Sequence, residues 1–369
     1  MEKSIKINSS PRRTSENFGM NDLRIEEKDI KSEKIGSIEN KGNKEAKENT
    51  EFLKYKFKGN KVITLNKIER NDNNKTLKYG NGKELLNQNI NNTNFSYEIL
   101  VDGKSKSNEY AVLDLNIEET SLIENLTIRT TENSIGFLAI RLNGKRLEKG
   151  YHNGIIKTEI AKYSKLKIVY INNLSIKTNN YISFENKVDE EGRLDNIFVD
   201  LGGNINSLNY YTRLNGYNSK NNIYSIYTGS GNQIYDFNYI VELYGKNAST
   251  NIDVRGVLNG EAKKSFKGTI DFKEGSTKSF GDESEYCILL SKKAKSKALP
   301  MLLCHEDDVV GNHSSATGKI DEKELFYIKS RGINEKDAQK LIIRAKLNKT
   351  IDKIEDKNIK QFVIEKLDI

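Results

Sequence analysis

The sequence predicts a mainly β protein with an α-helical segment at its C-terminal end and a polar segment at its N-terminal end. Three observations indicate this class. Short runs of β-branched and aromatic residues recur between residues 95 and 315. After residue 316 the apolar residues recur every three or four positions, as in helices. The first 94 residues are rich in charged and small polar side chains, so we expect them to be partly disordered and flexible.

The β region consists of strand-like runs separated by turn residues. Tyr97–Val101 and Leu166–Ile171 are typical runs, and Leu142-Asn143-Gly144 and Leu258-Asn259-Gly260 are typical turns. No long helical pattern interrupts the region, which leaves a sandwich, a barrel, a propeller or a β-helix. The absence of a strict short repeat argues against a regular propeller. A sandwich and a solenoid fit the remaining pattern almost equally well.

The segment 316–369 carries helix start and stop signals. Asp321 is placed to cap a first helix, with Glu324 as its capping-box partner. Gly332 supplies the positive φ that ends this helix. Asn334 caps a second helix that extends to about residue 346, and a third is expected from about residue 352 to residue 367. We therefore expect a compact helical C-terminal domain after the β region.

Composition argues against several classes of function. The net charge is +8, but acidic and basic residues are interleaved along most of the chain, which is typical of a solvated surface, so we expect no nucleic-acid partner. Two cysteines, Cys287 and Cys304, are too few for a disulfide framework. No apolar signal region or membrane-length apolar run is present. We expect a cytoplasmic protein with reduced thiols and no membrane partner.

The residues best suited to bind a metal ion or carry out chemistry follow the last predicted strand. Cys304 and His305 precede three carboxylates, and His313 follows a few residues later. Thiolate, imidazole and carboxylate are ligands of iron and zinc. The alternative is a buried Cys304 at a strand end, followed by a solvated turn. Core packing is the default for Cys287, and His152 is expected in a turn. No phosphate loop, dinucleotide fingerprint or nucleophile elbow is present.

One block of sequence resembles the SufB/SufD family of iron–sulfur cluster assembly proteins. It runs from His313-Ser314-Ser315-Ala316-Thr317-Gly318-Lys319-Ile320-Asp321 through Leu325-Phe326-Tyr327 to Ser330-Arg331-Gly332-Ile333. Upstream, Phe266-Lys267-Gly268-Thr269-Ile270 resembles a strand of the same family. The specific match covers about a quarter of the chain.

The resemblance implies a fold and a set of partners. The expected fold is a right-handed parallel β-helix core followed by the helical segment. The expected role is a non-catalytic scaffold that pairs with a SufB-type subunit, or with itself as a homodimer, and binds the ATPase SufC. Sulfur would come indirectly from a cysteine desulfurase system. An iron–sulfur cluster or iron would be held transiently at the subunit interface, and no nucleotide by this chain.

The resemblance also implies site residues. His313 is the position expected to be a histidine ligand or an iron relay. SufB-type chains carry a cysteine where this chain has Glu285, and Cys287 lies two residues later on the same side of an ideal strand. Many SufB chains have Glu at Ser314, so the chain resembles SufD more closely, although Gly311 occupies a position where SufD-type chains often have cysteine. Cys304 and His305 complete the expected cluster or metal ligands.

The expected SufC-docking residues lie in the helical segment. They are Phe326, Tyr327, Arg331 and Gly332, although core packing is the commoner role for such aromatic residues. Two other functions fit a β-helix. A carbohydrate-active enzyme would carry a cleft of carboxylate, Arg or Lys side chains and is usually secreted. A structural β-solenoid would need no His313 block and no C-terminal helices.

Overall fold

The structure, a computed structural model, describes residues 4–11, 21–31, 45–49, 53–68, 76–106, 109–117, 121–144 and 149–367. Its helices are α1 (Lys83–Asn92), α2 (Glu322–Ser330), α3 (Glu335–Ile351) and α4 (Lys357–Leu367). Its strands are β1 (Ser4–Ile7), β2 (Leu23–Glu26), β3 (Glu45–Asn49), β4 (Leu53–Lys58), β5 (Ile63–Lys67), β6 (Phe95–Val101), β7 (Ala111–Ile117), β8 (Ser121–Thr130), β9 (Ile135–Gly144), β10 (Gly150–Ile160), β11 (Lys165–Asn173), β12 (Thr178–Val188), β13 (Arg193–Asp200), β14 (Ile205–Leu214), β15 (Lys220–Gly229), β16 (Ile234–Leu243), β17 (Ser249–Leu258), β18 (Lys263–Phe272), β19 (Ser279–Leu289), β20 (Lys295–Cys304) and β21 (Val309–Gly318).

Successive strands alternate between two sheets. Sheet 1 contains the even-numbered strands from β6 to β20, and sheet 2 contains the odd-numbered strands from β7 to β21. Neighbours within these two runs are parallel and in register, as β10 is with β12 and β11 with β13. A chain that adds one strand to each sheet per turn is a parallel β-solenoid. The expected parallel β-helix is therefore confirmed, and the sandwich alternative is wrong.

The lumen, the space between the inner faces of the two sheets, is filled mainly by apolar side chains. Every second residue of a strand points inward, and the apolar residues among them form one continuous cluster from Tyr55 to Ala294. Rings from both sheets pack in its centre with centroids 5.2–6.1 Å apart. The rings are Tyr170, Phe184, Phe198, Tyr210 and Tyr239.

Both outer faces of the solenoid are covered as well. On sheet 2, Val169 and Ile197 pack against Ile343 of α3 and Val363 of α4. On sheet 1, a smaller cluster joins β1, β2 and α1 to Tyr151, Tyr181 and Ile205. Because both faces of each sheet are buried, most strands have few exposed residues.

The helical segment differs from its prediction at two boundaries, the end of the second helix and the start of the third. Asp321 and Asn334 accept the expected capping hydrogen bonds, and Gly332 has a φ of 88°. The second helix continues to Ile351, and the third begins at Lys357 rather than near residue 352. The third helix starts late because Asp356 caps it: the Asp356 carboxylate accepts hydrogen bonds from the backbone amides of Asn358 and Ile359.

The described parts of the first 94 residues lie against the solenoid. Asn8, which is fully buried with a φ of 52°, donates to the Asp236 carboxylate, and Lys267 binds both residues. Residues 12–20, 32–44 and 69–75 lie outside the described residues. The expected flexibility of the N-terminal segment and the three domain boundaries stay predictions.

Candidate functional site

Within the described residues, the solenoid ends at β20 and β21, the outermost strands of the two sheets. Residues 312–317 of β21 are all exposed. Alternate amides and carbonyls of an outermost strand have no ladder partner, so such a strand can pair with another chain. This end of the solenoid is therefore an open edge, and His313 lies on it.

Strand register brings several of the expected residues together at this end. Glu283, Glu285 and Cys287 alternate along β19, so their side chains share its inner face. Their partners on β21 are His313, Ser315 and Thr317. We use the term luminal mouth for the group formed by Lys264, Glu283, Glu285, Cys287, His313 and Ser315.

A buried ion pair crosses the luminal mouth. The Lys264 ammonium lies 2.7 Å from a Glu285 carboxylate oxygen, and both side chains are fully buried. Lys264 also donates to the backbone carbonyl of Lys297, and the Ser315 hydroxyl donates to the second Glu285 oxygen at 2.9 Å. These hydrogen bonds offset the desolvation of both charges. Glu285 is therefore fixed by two strands and directed into the lumen.

Glu283 has no such partners. Its side chain is 1% exposed, and neither carboxylate oxygen has a hydrogen-bond partner among the described residues. It lies over Gly268, where any larger residue would collide with the carboxylate. Burial, with smaller contributions from Glu285 and Asp282, raises the pKa of Glu283 to about 8. The mouth therefore holds a buried carboxyl group whose oxygens make no hydrogen bond within the described residues, and a cation would bind it in competition with its proton.

The two cysteines differ in environment. Cys287 is fully buried in the luminal cluster, and burial raises the pKa of its thiol, so the expected core position is confirmed. Cys304 is exposed at the end of β20, which overturns the interpretation that it is a buried strand end. His305 follows it, with Nε2 3.5 Å from an Asp271 oxygen. Among the described residues, no three His, Cys, Asp or Glu side chains are grouped closely enough to hold a metal ion.

The expectation for His152 is wrong. The residue is the third of β10 and is fully buried, with its Nδ1 2.6 Å from the Asn180 amide oxygen. Its neighbours Gly150 and Gly154 suggested a turn, but here they are strand glycines that make room for other side chains.

The four expected docking residues lie at the end of α2. Phe326 and Tyr327 are 73% and 58% exposed, so the core role expected for such aromatics is wrong. The Arg331 guanidinium stacks on the Tyr327 ring at 5.2 Å and donates to its hydroxyl. Gly332 then turns the chain into α3. The result is an exposed aromatic and cationic surface on the helical segment.

Sequence reasoning missed three residues of the luminal mouth: Lys264, Glu283 and Ser315. A signal for Glu283 was present, because it continues the two-residue alternation of Glu285 and Cys287 on one face. Lys264 had no comparable signal, since its strand begins with two adjacent lysines and only the fold shows which one points inward.

Comparison with known proteins agrees with this geometry. Residues 113–346, more than half of the chain, match the family model described as SUF system FeS cluster assembly, SufBD core domain. The match begins in β7 and ends in α3, so it covers all three strands of the luminal mouth and the exposed aromatic residues of α2.

Individual relatives match over shorter segments. The chain is 30% identical over 109 residues to the iron–sulfur cluster assembly protein SufD of Bacillus subtilis, covering 30% of this chain and 25% of that protein. It is 31% identical over 111 residues to the protein of the same name from Escherichia coli, covering 30% and 26%. The chain thus spans about a quarter of the length of these relatives.

Proposed function

Because the chain belongs to the SufBD core family of the SUF iron–sulfur cluster assembly system, we propose that it is a non-catalytic scaffold subunit of the SufD type. Its role is to support iron acquisition, cluster assembly and cluster transfer in the cytoplasm. Iron and the nascent cluster are its cargo. Family membership favours this role over a carbohydrate-active enzyme or a structural solenoid.

The observation that carries the proposal is the position of the luminal mouth at an open strand edge. A second solenoid that pairs with β20 and β21 would face Glu283 and His313 with its own terminal residues. The partner is a SufB-type subunit or a second copy of this chain. Imidazole and carboxylate donors from one side, together with donors from the partner, would complete a site for iron.

A separate surface is available for the ATPase. Phe326, Tyr327 and Arg331 are exposed on α2, on the helical segment that follows β21. Exposed aromatic and arginine side chains are typical anchors of protein interfaces. We assign SufC to this surface. Since the sequence contains no phosphate loop, SufC supplies the energy from ATP, and a cysteine desulfurase system supplies sulfur to the assembled complex.

The test is co-expression of the chain with the SufB and SufC of the same organism. We expect a stable three-component complex that accumulates iron and sulfide on anaerobic reconstitution. His313→Ala should assemble normally, because the side chain is exposed, but it should hold less iron and sulfide per complex. Both quantities are measured chemically on the purified complex.

Asn312→Ala is the matched control, because Asn312 is also exposed on β21 but its side chain points to the opposite face of the strand from His313. It should load normally. If His313→Ala loads as well as the wild type, the scaffold role stands and His313 is not a ligand. If no complex forms, the SufD-type assignment is wrong.

A further inference from the structure

A second polar group lies deep in the lumen, several turns from the luminal mouth. Its members are at most 2% exposed and come from strands of both sheets. They follow one another through side-chain contacts, from His152 to Asn180, Asn206 and Asn172 and then to Asp200. Glu124 continues the group beyond His152. Such a group inside an apolar core is costly unless its polar atoms have partners.

The partners are missing at one end. Nε2 of His152 lies 3.3 Å from Oε1 of Glu124, with both side chains fully buried. The two atoms do not form a hydrogen bond, and neither Glu124 oxygen nor Nε2 has another partner among the described residues. Three buried polar atoms from two adjacent strands thus face one another.

The opposite side of the His152 ring is fixed. Nδ1 lies 2.6 Å from the Asn180 amide oxygen, so Nδ1 carries the proton and donates it. In the neutral form of this tautomer the lone pair is on Nε2, on the side of the ring next to Glu124. A metal-binding histidine has this arrangement, in which one ring nitrogen donates to a fixed acceptor and the other binds the ion.

The separation of the two atoms suits a shared ion. Bonds of about 2.1 Å from a divalent first-row metal to imidazole nitrogen and carboxylate oxygen place the donors about 3.0–3.4 Å apart at angles of about 90–110°. The observed 3.3 Å lies in this range. We propose that Glu124 and His152 bind one divalent first-row metal ion, of the zinc or iron(II) type, inside the lumen.

Two features hold the pair in place. A Cβ at position 154 would lie 2.6 Å from Oε1 of Glu124, so Gly154 leaves the space that the carboxylate occupies. From outside the sheet, the buried Asn89 of α1 donates to the backbone carbonyls of Glu124 and Asn153. Helix α1 therefore fixes the two ligand strands relative to each other.

Two protein donors do not complete a coordination shell. The Tyr170 hydroxyl is also buried and has no hydrogen-bond partner among the described residues. Water or another exogenous donor would supply the remaining ligands. Because the site is sealed within the lumen, the ion is acquired as the solenoid folds. This site is independent of the proposed function and shares no residue with the luminal mouth.

The experiment uses the full chain, unfolded in guanidinium and refolded with Zn²⁺ or Co²⁺. Free and surface metal is removed with EDTA and gel filtration, and the retained metal per chain is measured by mass spectrometry. We expect the wild type and His313→Ala to retain one ion. Glu124→Gln and His152→Gln should lose it, and retained Co²⁺ should give d–d absorption. Circular dichroism confirms that each variant is folded.

X-ray absorption of the zinc-loaded wild type covers the case in which both variants fail to fold. An imidazole and oxygen shell without sulfur supports the site, because no cysteine lies in this part of the lumen. A sulfur shell, a wild type without EDTA-resistant metal, or folded variants that retain as much metal as the wild type would each overturn the proposal. The pair would then be a buried ion pair that shares a proton.

Discussion

At the scale of single residues, the Lys264–Glu285 pair is the strongest electrostatic feature of the luminal mouth. Both groups are fully buried and 2.7 Å apart. Lys264→Met would leave the Glu285 carboxylate without its cation, so we expect the free energy of unfolding to fall by about 3–5 kcal/mol. Urea unfolding of the isolated chain, followed by circular dichroism, measures the change.

Two further variants show whether burial of the ion pair is the cause of the stability loss in Lys264→Met. Lys264→Met combined with Glu285→Leu should regain most of the lost stability, because no unpaired charge remains. Lys293→Met breaks an exposed pair with Glu261 and should change stability little. Equal losses for Lys293→Met and Lys264→Met would show that burial does not govern the strength of these pairs.

The raised pKa of Glu283 predicts that the free energy of unfolding depends on pH. Its pKa is raised from an ordinary value of 4.5 to about 8 in the folded chain, so folding favours the protonated acid. Its contribution to stability is complete below pH 4.5 and is lost as the pH rises through about 8. Glu283→Gln lacks this titration, so its stability relative to the wild type should increase by up to about 1.4 kcal/mol per pH unit across the window. A difference that does not change with pH would contradict the burial of this group.

At the scale of elements, the exposed aromatic residues of α2 are expected to contribute to SufC binding but not to the stability of the fold. Phe326 and Tyr327 are mostly exposed, so replacing both with Ala should leave the thermal unfolding temperature nearly unchanged. We expect the affinity of the same variant for SufC to fall at least tenfold, since aromatic anchors often contribute about 2 kcal/mol or more to the binding free energy of an interface. Calorimetric titration measures the affinity.

Leu341→Ala is the matched control for this prediction. Leu341 is also exposed, at 49%, but it lies on α3. If Leu341→Ala weakens SufC binding as much as the α2 variant does, the docking surface is larger than the one proposed. If only Leu341→Ala weakens binding, α2 is not the docking surface.

The sequence predicted the helices and strands of this chain better than it predicted which face of each strand points into the lumen. Capping residues such as Asp321 and Asn334 located helices correctly, because a cap is a local signal. The strand runs were recognised, but their inner faces were not, because apolar residues on both sides are buried, as Val169 and Tyr170 are. A two-residue period assigns a face only when one side meets water. Lys264 was missed for this reason, because the sequence does not show which of the two adjacent lysines, Lys263 or Lys264, points inward.

At the scale of the whole molecule, the solenoid explains why the candidate site lies at one end. Each turn packs mainly on its two neighbours, so only a terminal turn can present luminal side chains to a partner. The last turn presents His313 and Ser315 on an outermost strand. None of the helices in the part of the chain that the structure describes is long and apolar enough to span a membrane.

Hydrogen–deuterium exchange of the β21 amides tests the central claim most directly. In the isolated chain, the β21 amides that face away from β19 have no ladder partner among the described residues and should exchange rapidly. In the complex with SufB and SufC, we predict strong protection of residues 312–317, as a partner strand covers the edge. Unchanged exchange in this strand, with new protection elsewhere on the solenoid, would contradict pairing through the luminal mouth.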